Sequence, residues 1–186
     1  MFIGVSHLET TKETIRFALL KLLNTNNFKN LTVKEIAHAA NISRSTFYLY
    51  YVDKYDLIDD VRRLLNDRFL SFYQSQSQHP SWEQPMILHL CQHFVKYRSF
   101  YNMEFNDANA IQNLSDRLTT QLMLIFDDQD YAIFASYGTI GYLSRWLKDS
   151  FVISPYEAAE KLLKIGFTNW SKEIETNDIY IAGMLI

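Results

Sequence analysis

Cysteine is nearly missing from these 186 residues: Cys91 stands alone, so neither an intrachain disulfide nor a cysteine-rich zinc site can form. Glycine and proline are scarce too, at 5 and 3 residues, and the apolar residues recur at helical spacing instead of alternating. That excludes an all-β sandwich, which needs a turn signal about every eight to twelve residues. Long apolar runs are also lacking. The stretch Tyr131 to Ser144, the longest apolar-rich run without charge, falls short of the roughly 20 residues of a spanning helix. The N-terminus MFIGVSHLETTKE has neither the basic start nor the apolar core of a signal peptide. The expectation is no membrane segment and a reducing, cytoplasmic location. No glycine-rich phosphate loop, no G-x-S-x-G and no nucleophile set beside a base can be found, so no catalytic residue and no cofactor is expected.

What is present is helix. With 48% hydrophobic and 21% charged residues the chain can bury a core, as one large domain or two smaller ones sharing it. Thr10 to Glu13, Thr32 to Glu35 and Ser154 to Glu157 have the form of capping boxes, and Pro155 sits where a first helical turn tolerates its missing N–H. From Thr11 the set Ile15, Leu19, Leu22 and Leu23 marks a first helix; Val33, Ile36, Ala37 and Ala40 mark a second, stopped near Asn41. Ser43 caps a short third helix carrying Arg44 to Tyr51. Asp53 caps a fourth, with Leu57, Ile58, Val61, Leu65, Phe69 and Phe72 on its apolar side. The uncharged segment around Gln74 to Ser81 is expected to connect this to four more helices: Pro85 to about Phe105, Asn109 to Phe126, Gln129 to Phe151 and Ser154 to about Glu175. The tail Ile179 to Ile186 is apolar without helical phase.

Charge divides the chain unevenly. Residues 1–50 hold six Lys/Arg against three acids, the remainder twelve against eighteen. A basic head on an acidic body can bind phosphate by one end, because the field that matters at physiological salt is local. In that head, two helices joined at Ala40-Asn41-Ile42 form a helix-turn-helix, whose second helix exposes hydroxyls, a guanidinium and phenols while burying Phe47 and Tyr51. Such a face suits a major groove, where Arg pairs with guanine and Ser or Thr with either partner.

The stretch Phe28 to Leu57, F-x2-L-T-V-x2-I-A-x2-A-x-I-S-x-S-T-F-Y-x-Y-Y-x2-K-x2-L, resembles the DNA-binding domain of TetR-family transcriptional regulators. The resemblance implies that Thr32, Tyr48, Tyr50 and Lys54 meet phosphates and that Arg44, Ser45 and Thr46 lie where bases are read. Asn41 replaces the family's usual turn glycine, Ser45 a frequent glycine, and Tyr50 a common histidine. Farther on, Gly138-Thr-Ile-Gly141-x4-Trp146, followed by Ser154-Pro155, is similar to the C-terminal helices of a subgroup that includes regulators and co-regulators of dihydroxyacetone kinase operons.

In the C-terminal half, aromatics with polar tips can line a small-molecule site, and the resemblance implies an effector there, with Phe94, Tyr97, Tyr101, Phe134 and Tyr137 as candidates. Ala135, Gly138, Gly141 and Ser144 recur every three positions, so another backbone approaches that helix, from the same chain or from a second copy. The resemblance implies a homodimer whose last two long helices form a four-helix bundle, with Gly138, Gly141 and Trp146 in the seam. His89 and His93 share a helix at i, i+4, but no third ligand is evident and a metal is not expected. The reading is therefore an all-α, homodimeric regulator binding a double-stranded DNA operator, a repressor controlled by a small-molecule effector. It has a three-helix DNA-binding head at 1–50, a linking helix at 51–73 and a helical bundle for dimerisation and effector binding at 74–186. The alternatives are a co-regulator working through a protein partner without its own DNA binding, and an enzyme or metal-binding bundle.

Overall fold

A computed structural model describes residues 4–74 and 84–167. Among them the chain is all-α, with nine α-helices and one short 3-10 turn and no strand. Most of the Gln74 to Ser81 connector, the last helix beyond residue 167 and the tail Ile179 to Ile186 lie outside the described residues.

The head comprises α1 (Gly4–Leu22), the turn Phe28–Asn30, α2 (Val33–Ala39) and α3 (Arg44–Tyr48). Ile15, Ala18 and Leu19 of α1 close on Ile36 and Ala37 of α2 and on Phe47 of α3, all buried. The Thr32 capping box forms as expected, with the Glu35 carboxylate accepting the Thr32 N–H at 2.8 Å. Asn41 takes the left-handed turn position at φ 53°, a conformation that asparagine tolerates better than most residues. The Thr10 to Glu13 box does not start a helix. α1 is already running at Gly4, because residues 4–9 are themselves compatible with helix and a capping sequence does not stop a helix arriving from upstream.

α4 (Lys54–Gln74) begins on the Asp53 carboxylate, which accepts from the N–H groups of Tyr55 and Asp56. It touches α1 at its start and α5 and α7 further along, so one helix belongs to both halves. The body contains α5 (Gln84–Lys96), α6 (Arg98–Glu104), α7 (Ala108–Met123), α8 (Gln129–Lys148) and α9 (Pro155–Phe167). α7 pairs chiefly with α8, and α9 with α5. The single helix expected from Pro85 to Phe105 is broken at Tyr97, where φ −109° and ψ 29° leave the helical region, so five helices follow the connector and not four. The Ser154 box does form and starts α9.

Candidate nucleic-acid interface

α3 owes its position to a polar cap on one side and an aromatic anchor on the other. Ser43 Oγ accepts the Thr46 N–H at 3.0 Å, while Phe47 is fully buried against the head core. Ser43 Oγ also lies 2.7 Å from Ser45 Oγ and 2.8 Å from Thr46 Oγ1. A hydroxyl has one proton to give and two lone pairs. With one lone pair taken by the backbone N–H, Ser43 donates to one neighbour and accepts from the other. One of Ser45 and Thr46 therefore keeps its own O–H to donate, and the other presents oxygen only. Arg44 and Ser45 are exposed and Thr46 half-buried, so the three expected base readers share one outer surface.

The four expected phosphate contacts separate into two kinds. Tyr48 is 50% exposed, its ring edge-on to Phe47, and Tyr50 is half-buried on the core, so both are held while leaving surface available. Thr32 is exposed, but its hydroxyl already donates to Glu35 Oε2 at 2.7 Å. Lys54 is used differently from the sequence reading. Its ammonium donates to the carbonyls of Phe28 (3.1 Å), Lys29 (2.8 Å) and Leu31 (2.8 Å), and lies 5.1 Å from the Phe28 ring centroid. All three protons are committed, because the 3-10 turn leaves carbonyls pointing outward that a helix would have bonded. Lys54 thus braces the loop before α2 and is a positioning residue in this geometry.

Leu49 is a neighbour that the sequence reading left out: it is 81% exposed at the end of α3, between Tyr48 and Tyr50. An apolar side chain held in water beside a polar reading face was a usable signal, since thymine methyls and sugars are apolar. Behind the surface, Asp60 of α4 accepts from Arg16 Nε and from the Tyr51 hydroxyl, both at 2.7 Å. Burial alone would raise the Asp60 carboxyl, but the bonds from Arg16, Tyr51 and Arg63 outweigh it and hold it down at about 2. The head is fastened to α4 by an ionised carboxylate at any ordinary pH.

The sequence model of the family described as "Bacterial regulatory proteins, tetR family" matches residues 15–61, which hold this whole assembly from Ile15 to the Asp60 tie. Over those residues the chain is similar to the tetR family. That family is one of regulatory proteins, not of enzymes. A curated relative, the uncharacterized HTH-type transcriptional regulator YxbF of Bacillus subtilis (strain 168), is 23% identical over 170 residues, covering 84% of this chain and 45% of its own. The chain thus spans about half the length of that relative. Among solved structures, the dihydroxyacetone kinase operon activator DhaS superposes with a TM-score of 0.62 at 17% identity, over 83% of this chain and 93% of its own. FadR from Bacillus subtilis, solved with stearoyl-CoA, gives 0.63 at 14%, over 84% and 99%. At such identities the likeness is one of fold.

The expected effector and seam residues are dispersed. Phe94 and Tyr101 are stacked on each other at 3.9 Å and wholly buried; they are core, because two large rings on adjacent helices fill the space between α4 and α6. Tyr97 packs its ring on His93 at the helix break. Tyr137 is exposed and donates to Asp116 on α7. Only Phe134 of the five lines a cavity, a space of about 470 Å³ walled by α8 and α9 with Tyr73, Ile87 and Leu122 behind, and Gly138 lines it too. Gly141 is exposed on α8. Trp146 is corrected from the seam to the chain's own interior: it is buried, its indole N–H donates to the Ile153 carbonyl at 3.1 Å, and Phe151 stands edge-on to it. The two histidines part company as well. His89 is exposed, whereas His93 is buried with Nε2 2.8 Å from the Tyr101 hydroxyl, so the two rings of the i, i+4 pair do not share one environment.

Proposed function

We propose that the chain is a sequence-specific DNA-binding transcriptional regulator, working in the cytoplasm as a homodimeric repressor on a double-stranded operator. The observation that carries this is the exposed Arg44, Ser45 and Thr46 face of α3, held rigid by the Ser43 cap and the Phe47 anchor, with Tyr48 beside it. Arg44 and the two hydroxyls read base edges; Tyr48 and Tyr50 donate to phosphates, and Thr32 joins them only by giving up its bond to Glu35. Head, linking helix and body are taken as 1–50, 51–73 and 74–186. Dimerisation through α8 and α9 is supported by Phe134, Tyr137, Tyr156 and Ile165, large apolar side chains exposed on those two helices. Control by a small-molecule effector is supported by the cavity between α8 and α9.

An electrophoretic shift with DNA from upstream of the chain's own gene tests this directly. A salt-sensitive complex that competitor DNA of scrambled sequence does not remove is the expected result. No complex with any upstream fragment, together with capture of DNA only in the presence of a second regulator, would replace it with the co-regulator reading.

A further inference from the structure

α8 packs chiefly on α7 and α9 chiefly on α5, so α8 and α9 splay apart. Two phenols bridge them. Tyr131 donates its hydroxyl to the Gly166 carbonyl at 3.1 Å, and Tyr142 to the Ala158 carbonyl at 3.3 Å. Beside the Tyr131 bridge lies the cavity of about 470 Å³, within the range of ~300–1,000 Å³ typical of small-molecule sites. Its floor is made by Tyr73, Ile87 and Leu122, none more than 3% exposed, and Phe134 stands at its rim, 62% exposed. A space that reaches core residues, with Tyr73, Ile87 and Leu122 at its floor, suits a small molecule better than a helix of another protein.

The wall chemistry restricts the occupant. Among the described residues no charged side chain lines the cavity. The Tyr73 phenol and the Thr139 side chain are hydrogen-bonded to each other, and the Tyr131 hydroxyl is taken by Gly166. A carboxylate, phosphate or ammonium group brought in from water would find no counter-charge, whereas hydrocarbon would leave water for an apolar surface. Gly138 sets the free space. A Cβ built there meets nothing within 4 Å, so the packing of the described residues does not require the small residue, although glycine weakens a helix relative to alanine.

We propose that this cavity binds an uncharged, hydrocarbon-rich small molecule and that the missing side chain at Gly138 provides the room for it. The assignment deepens the effector part of the proposed function and rests on it. A ligand here wedges α8 from α9 next to Tyr73, close to the C-terminal end of α4, and so acts on the helix that also carries the head.

The test uses the full chain with Nile red as an uncharged fluorescent probe, and 1-decanol, decanoate and decylammonium as competitors. Nile red should brighten on the wild-type protein, and decanol should displace it at a concentration at least tenfold below that needed with either ion. Gly138→Leu should weaken Nile red binding at least tenfold with sedimentation unchanged, and Gly138→Ala, which only adds a methyl to open space, by less. No probe signal on the wild type, equal displacement by the ions, or undiminished binding in both variants would each overturn the proposal. So would a Gly138→Leu protein that falls to monomer with probe affinity intact, which would give the residue to the dimer seam. Operator binding, followed separately by mobility shift, tells failure of the regulator reading apart: its loss from the wild-type protein would leave the probe result standing.

Discussion

Arg62 of α4 holds the buried Glu104 of α6 through two parallel hydrogen bonds, Nε–H to Oε2 at 2.7 Å and Nη2–H to Oε1 at 2.9 Å. Asp60, two residues earlier, takes Arg16 and Tyr51 of the head. At ~100° per residue these positions lie about 200° apart around the helix, so α4 is tied to the head on one face and to the body on the other. A tilt of α4 cannot leave either tie untouched, which is how the proposed effector signal would pass from body to head.

Removing one partner of the Arg62–Glu104 pair should be costly, because Glu104 is buried and Arg62 would face a neutral group. Glu104→Gln is expected to lose about 2–3 kcal/mol in urea unfolding. The double variant Arg62→Met, Glu104→Leu should recover most of that loss, since an apolar pair of similar size needs no compensation, while operator release by effector becomes weaker. A Glu104→Gln protein within about 0.5 kcal/mol of wild type would show that solvent already screens the pair.

His93 gives the protein an acid-sensitive limb. Burial first, then the nearby charges of Arg68 and Lys96, hold its imidazole down to about 4. The unfolded chain, with an ordinary value near ~6.5, takes up the proton first. Stability is therefore full above about pH 6.5, falls as pH drops from there to about 4, and levels off below; between pH 7 and 5 the loss should be about 2 kcal/mol. Asp60 has the depressed carboxylate pattern, its contribution present above about pH 4 and lost as pH falls towards 2. Urea midpoints at pH 7 and pH 5 check the first limb: His93→Gln should be less stable than wild type at pH 7 and flatter between the two. An equally steep His93→Gln would place the titrating group elsewhere.

Much of the head was legible because its signals are local. The Thr32 box, the Ser43 cap, the left-handed Asn41 and the burial of Phe47 and Tyr51 each depend on a few consecutive residues, and all are found. The body was less legible. α8 carries exposed Ile133, Phe134 and Tyr137 alongside buried Ala132, Ile140 and Leu143, so its apolar residues run around the whole helix and give no phase from which to tell core from cavity or seam. Trp146 lies on this helix, where no phase separates interior from interface; Phe94 and Tyr101 lie on α5 and α6, and a large aromatic has the same sequence signature whether it fills a core or lines a cavity. Lys54 was misjudged for a different reason: its partners are carbonyls 23 to 26 residues earlier, and backbone acceptors carry no sequence signature.

Lys54, Tyr48 and Arg44 should fail in three distinguishable ways. Lys54→Met takes a donor from three carbonyls, of which Phe28 keeps the Leu31 N–H, and is expected to lower stability by about 1 kcal/mol, with little change in the salt slope of DNA binding. Tyr48→Phe removes a phosphate donor and should weaken binding to all sequences alike. Arg44→Ala should relax discrimination at one base position by about 1–3 kcal/mol. Mobility shifts at several salt concentrations, on the operator and on single-base variants of it, separate them. A salt slope reduced by about one in Lys54→Met, with stability unchanged, would return that ammonium to a phosphate.

Gly141 offers a test of the seam that the chain's own packing does not confuse. It is exposed on α8, and a Cβ built there meets no atom within 4 Å, so a side chain at this position starts in open space and can extend towards solvent. Any penalty must then come from a second copy. If α8 faces its twin at this point, Gly141→Leu overpacks the seam and should shift the dimer towards monomer at least tenfold, while helix content and urea midpoint of the subunit hold or rise, since leucine is the better helix former. Operator affinity must fall with it, because two recognition helices reach successive major grooves only when held about one helical turn of DNA apart, ~34–36 Å. Half-site binding by a lone head should persist weakly and keep its dependence on Arg44. Sedimentation that shows an undisturbed dimer in Gly141→Leu would move the seam off this face of α8, and exposed Tyr156 and Ile165 on α9 would be the next positions to substitute.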